Sequence, residues 1–385
     1  GGGPVRVHPE VTMAALHPPL RPFGQARLPA PTGAESAAFD ARAIDELGVP
    51  QPVLMENAGR SAALVLQRLH PRGPVFGFVG SGNNGGDALV LLRTLAAWGR
   101  EVTAVLVADR EADALLHGWS LDLRADTDLD DAAWRALTHG AVLVDGMLGT
   151  GVRGAPRERQ AEAIRRLNAA AGPVVALDVP SGVDSATGAI PGEAVDAEVT
   201  VTFGAPKLGS LLHPGRARVG RLVAVEMGFP PFGTLEAGAR VATPAWAQAH
   251  LPARGTDTHK NRVGRLRVVA GGRGRAGAAV LAARAGFRAG AGLVQVASAS
   301  ANRAILQSAV PEAIFVDAGE EGALEVAADE AHGVAVGPGL GTDRWAEELV
   351  GRVLESGAAP LVLDADALNL AAAGRTPGLS EVAAA

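Results

Sequence analysis

Short runs of aliphatic, often β-branched residues recur along this chain at Val75–Val79, Val102–Val107, Ala141–Asp145, Val174–Asp178, Val199–Phe203 and Leu222–Val225. Segments of helical periodicity lie between them, as from Asp87 to Ala97. Continuous apolar strands separated by helices indicate a parallel sheet covered on both faces. Upstream, Thr32 and Glu35 fit a capping box for a helix running to about Leu47, which Gly48 and Pro50 would end. Leu54, Ala58, Ala62, Val65 and Leu69 mark a second helix over Pro52–Leu69. Residues 32–230 are therefore read as one α/β domain, doubly wound, Rossmann-like and three-layered.

Residues 1–31 carry scattered prolines and no continuous apolar region, and are expected to be a disordered leader. Residues 231–258 read as a linker. The alternation then restarts, with strands at Leu266–Ala270, Leu293–Ala297, Val334–Val336 and Leu361–Asp364, and helices at Gly277–Ala289 and Trp345–Ser356. Residues 259–385 thus form a second, shorter α/β unit.

Composition excludes several classes of chemistry. Cysteine and tyrosine are both absent, so no disulfide, thiolate ligand, Cys nucleophile or Tyr base can operate. The net charge of −6 argues against nucleic acid as a partner. The most apolar stretch, Leu281–Ala297, contains Arg284 and Arg288 and is broken by glycines, so no membrane span is expected. A cytoplasmic homo-oligomer is expected. Glycine is 50 of 385 residues, about twice the usual share of roughly 7%, and clusters in runs after the strands, where it would form tight turns.

Four of these turns carry polar residues. Gly80, Gly82 and Gly85 satisfy G-x-G-x-x-G after a strand, and Asp109 follows the next strand, which makes a weak dinucleotide fingerprint. Asn83, Asn84 and Asp87 depart from the ordinary version, and a plain glycine turn with an aspartate cap is the alternative. Asp145 ends a strand before Gly146–Gly154, a glycine loop with Arg153 that can form an anion nest. Asp178 ends the next strand, before Pro180-Ser181-Gly182. Asn84, Asp145 and Ser181 offer only oxygen, which suits a hard, monovalent cation; helix capping by the aspartates is the alternative. Lys207 follows the Val199–Phe203 strand, either as a surface lysine or as a partner for a carboxylate or phosphate.

Together with Leu54-Met55-Glu56-Asn57-Ala58-Gly59-Arg60, these motifs resemble, in order, the YjeF N-terminal family of NAD(P)H-hydrate epimerases, over about Glu35–Phe229. The resemblance implies substrate contacts from Asn83, Asn84, Gly85, Gly86 and Asp87, from Gly149, Thr150, Gly151, Val152, Arg153, Gly154 and Ala155, and from Asp178. It implies potassium on Asn84, Asp145 and Ser181. Ala88 stands where many members have Gly.

The second unit resembles the ribokinase-like, ADP-dependent NAD(P)H-hydrate dehydratases. The series is His259–Arg265, with Asn261 for the usual Gly, then Gly271-Gly272, Gly277-Ala278, Gly290–Val294, Gly337–Gly341 and Leu363–Asn369. This implies hydrate contacts from Ala278 and Gly339, with ADP and Mg2+ as cofactors. The family's later His-Pro-Gly segment, nucleotide loop and Gly-x-Gly-Asp segment have no counterpart before Ala385. An incomplete, C-terminally truncated ribokinase-like domain is therefore expected, with its dehydratase half inactive.

The implied activity is repair of hydrated NADH and NADPH (NADHX and NADPHX). The first domain would interconvert the R and S epimers, and the second, when intact, would dehydrate the S form at the expense of ADP. Asp178 is expected to carry the proton transfer, with Lys207 orienting the carboxylates. Two other readings stay open: a Rossmann-type NAD-binding dehydrogenase using Gly80, Gly82, Gly85 and Asp109, and a non-catalytic nucleotide-binding protein.

Overall fold

A computed structural model describes residues 28–110, 114–151, 153–229, 236–251, 257–320, 331–356 and 360–376. Its contacts divide the chain into two units, Gly1–Leu251 and Pro252–Ala385.

The first unit begins with β1 (Leu28–Pro29), α1 (Gly33–Asp45), α2 (Gln51–Leu69), β2 (Val75–Val79), α3 (Asn83–Ala97) and β3 (Val102–Leu106). It continues with β4 (Asp122–Ala125), α4 (Asp131–Thr138), β5 (Val142–Gly146), α5 (Glu158–Asn168), β6 (Val174–Leu177), β7 (Val199–Phe203) and β8 (Arg221–Val225). Last come β9 (Arg240–Val241) and α6 (Pro244–His250). Seven strands form one sheet in the order β4-β3-β2-β5-β6-β7-β8. Every pairing is parallel, with Val75 opposite both Val102 and Val142. Along β2, Val75 and Val79 enter a core with Ala62, Leu66, Leu89 and Leu92, from α2 and α3. Phe76 and Phe78 enter the opposite core with Trp134, Ile164 and Leu167, from α4 and α5. That is the doubly wound, three-layer arrangement. The strand order reverses between β2 and β5, and the crevice beyond those strand ends is where open α/β sheets bind ligands.

Three features differ from the sequence expectation. β4 reads Asp-Leu-Arg-Ala, an edge strand with too little apolar surface to stand out. α3 starts at Asn83, so Asp87 lies one turn inside the helix and does not cap it; the N-cap is Gly82. Asn and Gly are weak helix formers, and packing decides here, because a Cβ on Gly85 would lie 2.0 Å from the Gly80 carbonyl oxygen. Finally, the domain edges shift. Leu28 and Ala30, assigned to the leader, are buried, and β1 pairs antiparallel with β9. The segment expected as linker thus supplies β9 and α6 to the first unit. That pairing joins residues about 200 positions apart and leaves no local periodicity.

The Thr32–Glu35 capping box forms as expected. The Glu35 amide donates to Thr32 Oγ1 (3.2 Å) and the Thr32 amide to Glu35 Oε2 (2.7 Å).

The second unit contains α7 (Lys260–Val263), β10 (Arg265–Val269), α8 (Ala276–Ala289), β11 (Leu293–Ser298), α9 (Arg303–Ala309) and β12 (Ile314–Asp317). β13 (Gly333–Val336), α10 (Arg344–Glu355), β14 (Leu361–Leu363) and α11 (Asp366–Ala372) follow. Its parallel sheet has the order β12-β11-β10-β13-β14, with the reversal between β10 and β13. α8 and α9 cover one face and α10 and α11 the other. Among the described residues, no helix is long and apolar enough to cross a membrane.

Candidate active site

A cavity of about 470 Å³ opens at the strand ends of the first unit. One face of α1 forms one wall, with Ser36, Asp40 and Ile44 at successive helical turns. The start of α3 contributes Asn83, Asn84 and Asp87, and the loop after β5 contributes Met147–Gly151. Asp178 follows β6, and Phe203 and Lys207 come from the end of β7 and the turn beyond it.

Asp178 and Lys207 meet in this cavity. Lys207 is buried, and its Nζ donates to Asp178 Oδ1 (2.5 Å), to the Phe203 carbonyl (2.8 Å) and to Thr202 Oγ1 (3.4 Å). All three ammonium donors are committed, so this is not a surface lysine. Asp178 adopts φ of +64°, a left-handed backbone uncommon outside glycine. Its own amide donates to the Val201 carbonyl (2.7 Å), which fixes the turn.

Two further carboxylates face the pair. Burial pushes the Asp40 carboxyl up to about 6, with Lys207 opposing and Asp178 adding to the shift. Burial holds the Asp87 carboxyl well above the usual carboxylate range, reinforced by the Asp178 charge and opposed by Lys207.

Beside the cavity lies a buried oxygen cluster. Ser181 Oγ donates to Asp145 Oδ1 (2.6 Å) and the Ser181 amide to Oδ2 (2.8 Å), while the Met147 amide also reaches Oδ1 (3.2 Å). Burial lifts the Asp145 carboxyl to about 6 against the pull of these bonds. Asn84 Nδ2 donates to the carbonyls of Leu148 (2.9 Å) and Leu177 (3.2 Å). Its Oδ1 is buried without a hydrogen-bond partner among the described residues. An orphaned acceptor near a buried carboxylate is what a bound cation would satisfy. Oxygen donors of this kind suit a hard cation, such as the potassium the resemblance implies.

The glycines serve close packing of backbone. A Cβ on Gly80 would lie 1.9 Å from the Met147 carbonyl oxygen. Arg110 Nη1 donates to the carbonyls of Gly80 (2.9 Å) and Gly82 (3.1 Å). Its guanidinium covers Gly85 and Gly86, which do not line the cavity. In the upstream motif, Asn57 Nδ2 donates to the Met227 carbonyl (3.0 Å) and Gly59 abuts Val90, so this segment packs α2 onto its neighbours.

In the second unit, the loops after β10 and β13 interlock. The Gly271 amide donates to the Pro338 carbonyl (3.0 Å) and the Gly272 amide to that of Gly339 (2.8 Å). Buried Asn302 braces them through Nδ2, donating to the carbonyls of Gly271 and Gly272 (2.9 and 3.0 Å). Ala278 and Gly339 are neighbours: a Cβ on Gly339, whose φ is +61°, would lie 2.6 Å from the Ala278 Cβ.

Residues 51–209 match the family described as YjeF-related protein N-terminus, and residues 266–381 match NAD(P)H-hydrate dehydratase. The bifunctional NAD(P)H-hydrate repair enzyme Nnr of Moorella thermoacetica is 36% identical over 366 residues, covering 88% of this chain and 69% of that protein. The chain belongs to the bifunctional NAD(P)H-hydrate repair family. The Salinibacter ruber member is 36% identical over 382 residues, covering 89% of this chain and 70% of the relative. A solved structure of the Bacillus subtilis ADP/ATP-dependent NAD(P)H-hydrate dehydratase, co-crystallized with ATP/Mg2+, is 30% identical over 32% of this chain and 44% of its own, with a TM-score of 0.28.

Against this family, the expected site residues fall into three groups. Asn83, Asn84, Asp87, Gly149, Thr150, Gly151, Asp178 and Lys207 share the cavity, and Asp145 and Ser181 sit behind it. Arg153, Gly154 and Ala155 are exposed and lie off the cavity, and buried Gly85 and Gly86 lie off it too. Val152 lies outside the described residues. Asp40, on the cavity wall, and Thr202, bonded to Lys207 and Asp178, enter the site unforeseen. Asp109, the dehydrogenase ribose candidate, is fully exposed and paired with Arg159 Nη1 (3.1 Å). Membership in the repair family favours the hydrate reading over that alternative.

Proposed function

We propose that the first unit epimerises the hydrated nicotinamide ring of NADHX and NADPHX, and that the second belongs to the dehydratase half-reaction, with ADP and Mg2+ as its cofactors. The buried Asp178–Lys207 pair, opening onto a cavity of about 470 Å³, carries the epimerase reading. That volume is within the range of pockets for small-molecule ligands, roughly 300–1,000 Å³.

The hydrate bears its hydroxyl on a ring carbon next to nitrogen. The nitrogen lone pair can expel the hydroxyl once the oxygen is protonated, leaving an iminium-like ring. Asp178 would move the proton at oxygen, and its carboxylate would offset the ring's positive charge. Lys207 fixes that carboxylate's position. The glycine loop after β5 offers backbone amides to the cofactor's diphosphate. Asn84, Asp145 and Ser181 would hold potassium, whose charge would favour the ionised Asp145; the Leu148 amide donates to Ser181 Oγ (2.9 Å), which joins that turn to the loop after β6.

The test is Asp178→Asn, assayed by chromatographic separation of R and S hydrates. Loss of general acid–base catalysis predicts about a 10²–10⁴-fold fall in epimerisation with folding intact. Near-normal turnover would remove Asp178 from the mechanism.

A further inference from the structure

When the C–O bond at the hydrate carbon breaks, that carbon becomes trigonal and presents two faces. The departing oxygen must gain a proton on one face, and the incoming water must lose one on the other. A single fixed carboxylate serves one face and would regenerate the epimer it started from. Asp178 is fixed in this way, by its left-handed turn and by Lys207.

We propose that Asp40 is a second catalytic residue, exchanging protons on the ring face that Asp178 does not reach; this rests on the epimerase reading above. Asp40 projects from α1, a different wall of the cavity from the strand-end turn that carries Asp178. It is half-buried, and its carboxylate has no hydrogen bond or ion pair among the described residues. The charged and titratable groups facing it are Lys207, Asp178 and Asp87, with Arg110 acting on Asp87. Asp87 is the other candidate in the cavity. It is more deeply buried, and burial holds its carboxyl well above the usual carboxylate range, which favours the protonated, hydrogen-bond-donating form. Asp40, lifted only to about 6, has both forms accessible near neutral pH.

The step balances without another reactant. One carboxylic acid protonates the hydroxyl, the C–O pair leaves with water, and the nitrogen lone pair forms the C=N bond. Water then attacks the opposite face, its proton passes to the other carboxylate, and the C=N π pair returns to nitrogen. The two carboxyl groups have exchanged one proton, and turnover in the opposite sense or exchange with solvent resets them.

The experiment compares the wild type with Asp40→Asn, Asp40→Ala and Asp178→Asn, in both directions of epimerisation. Asp40→Asn should lower kcat by about 10²-fold or more with KM nearly unchanged, and should remove the limb of the pH profile near 6. Formate should restore part of the rate to Asp40→Ala, which a packing defect would not allow. If Asp178→Asn is inactive while Asp40→Asn keeps wild-type kcat and pH profile, the Asp40 proposal alone is overturned. A loss in Asp40→Ala that formate leaves untouched, with KM raised or the melting transition lowered, also overturns it. An active Asp178→Asn overturns the reading beneath it instead.

Discussion

Replacing potassium by tetramethylammonium should destabilise the first unit, and more so above pH 6 than below it. The reason lies in Asp145, whose side chain is fully buried and whose carboxyl is lifted from 3.8 to about 6. At 1.36 kcal/mol per unit, that shift corresponds to about 3 kcal/mol for holding the ionised group inside the fold. The folded-state value lies above the unfolded one, so the associated stability is complete below pH 3.8 and is lost as pH rises through about 6. A cation that pairs with the ionised form recovers part of the loss, and only where Asp145 is ionised. An ion requiring that form would bind about tenfold more weakly at pH 5 than at pH 7.5. Urea unfolding in potassium and tetramethylammonium chloride at equal ionic strength, at both pH values, reads the difference. Trp134, its ring tilted against Phe78 at 5.0 Å, supplies a fluorescence signal from this unit. An equal potassium gain at both pH values, or an undiminished gain in Asp145→Asn, would refute the reasoning.

Two further substitutions probe how the site is held. Gly80→Ala places a methyl 1.9 Å from the Met147 carbonyl, where only backbone can yield; a loss of about 1–3 kcal/mol or more is expected, measured by the urea midpoint. Thr32→Ala removes the side-chain cap of α1 and should cost about 1 kcal/mol; an unchanged midpoint would show that the cap contributes nothing.

The strands of the first sheet were legible because central parallel strands must be apolar on both faces, as Val75–Val79 is. β4 was not, since an edge strand can be polar and still pair. The residues following the strands were equally readable: Asp145, Asp178 and Ser181 sit beside their strand ends, and the crevice follows from the sheet order. Asp40 was hidden because its position depends on where α1 lies, and contacts distant in sequence decide that. Phe39 packs edge-on against Phe229 at 5.1 Å, a pairing no local pattern announces. Lys207 illustrates the same limit, since only the fold distinguishes a buried ammonium from a surface one. Gly85 and Gly86 show the converse: their motif is conspicuous, yet their α-carbons face Arg110 and Met55.

The short β1–β9 ribbon closes the first unit into a loop whose two ends hold each other. The clasp extends to Glu35, whose Oε1 accepts from the Gly238 amide (2.9 Å) while its other oxygen caps α1. The wall bearing Asp40 is therefore tethered to a stretch of chain far from any reacting atom. Shortening the first unit to end at residue 230 would leave every cavity residue in place in the sequence, yet untie the helix that presents one of them. The segment after β8 thus bears on the cavity twice, through the ribbon that holds α1 and through Met227 and Phe229, which line the cavity themselves.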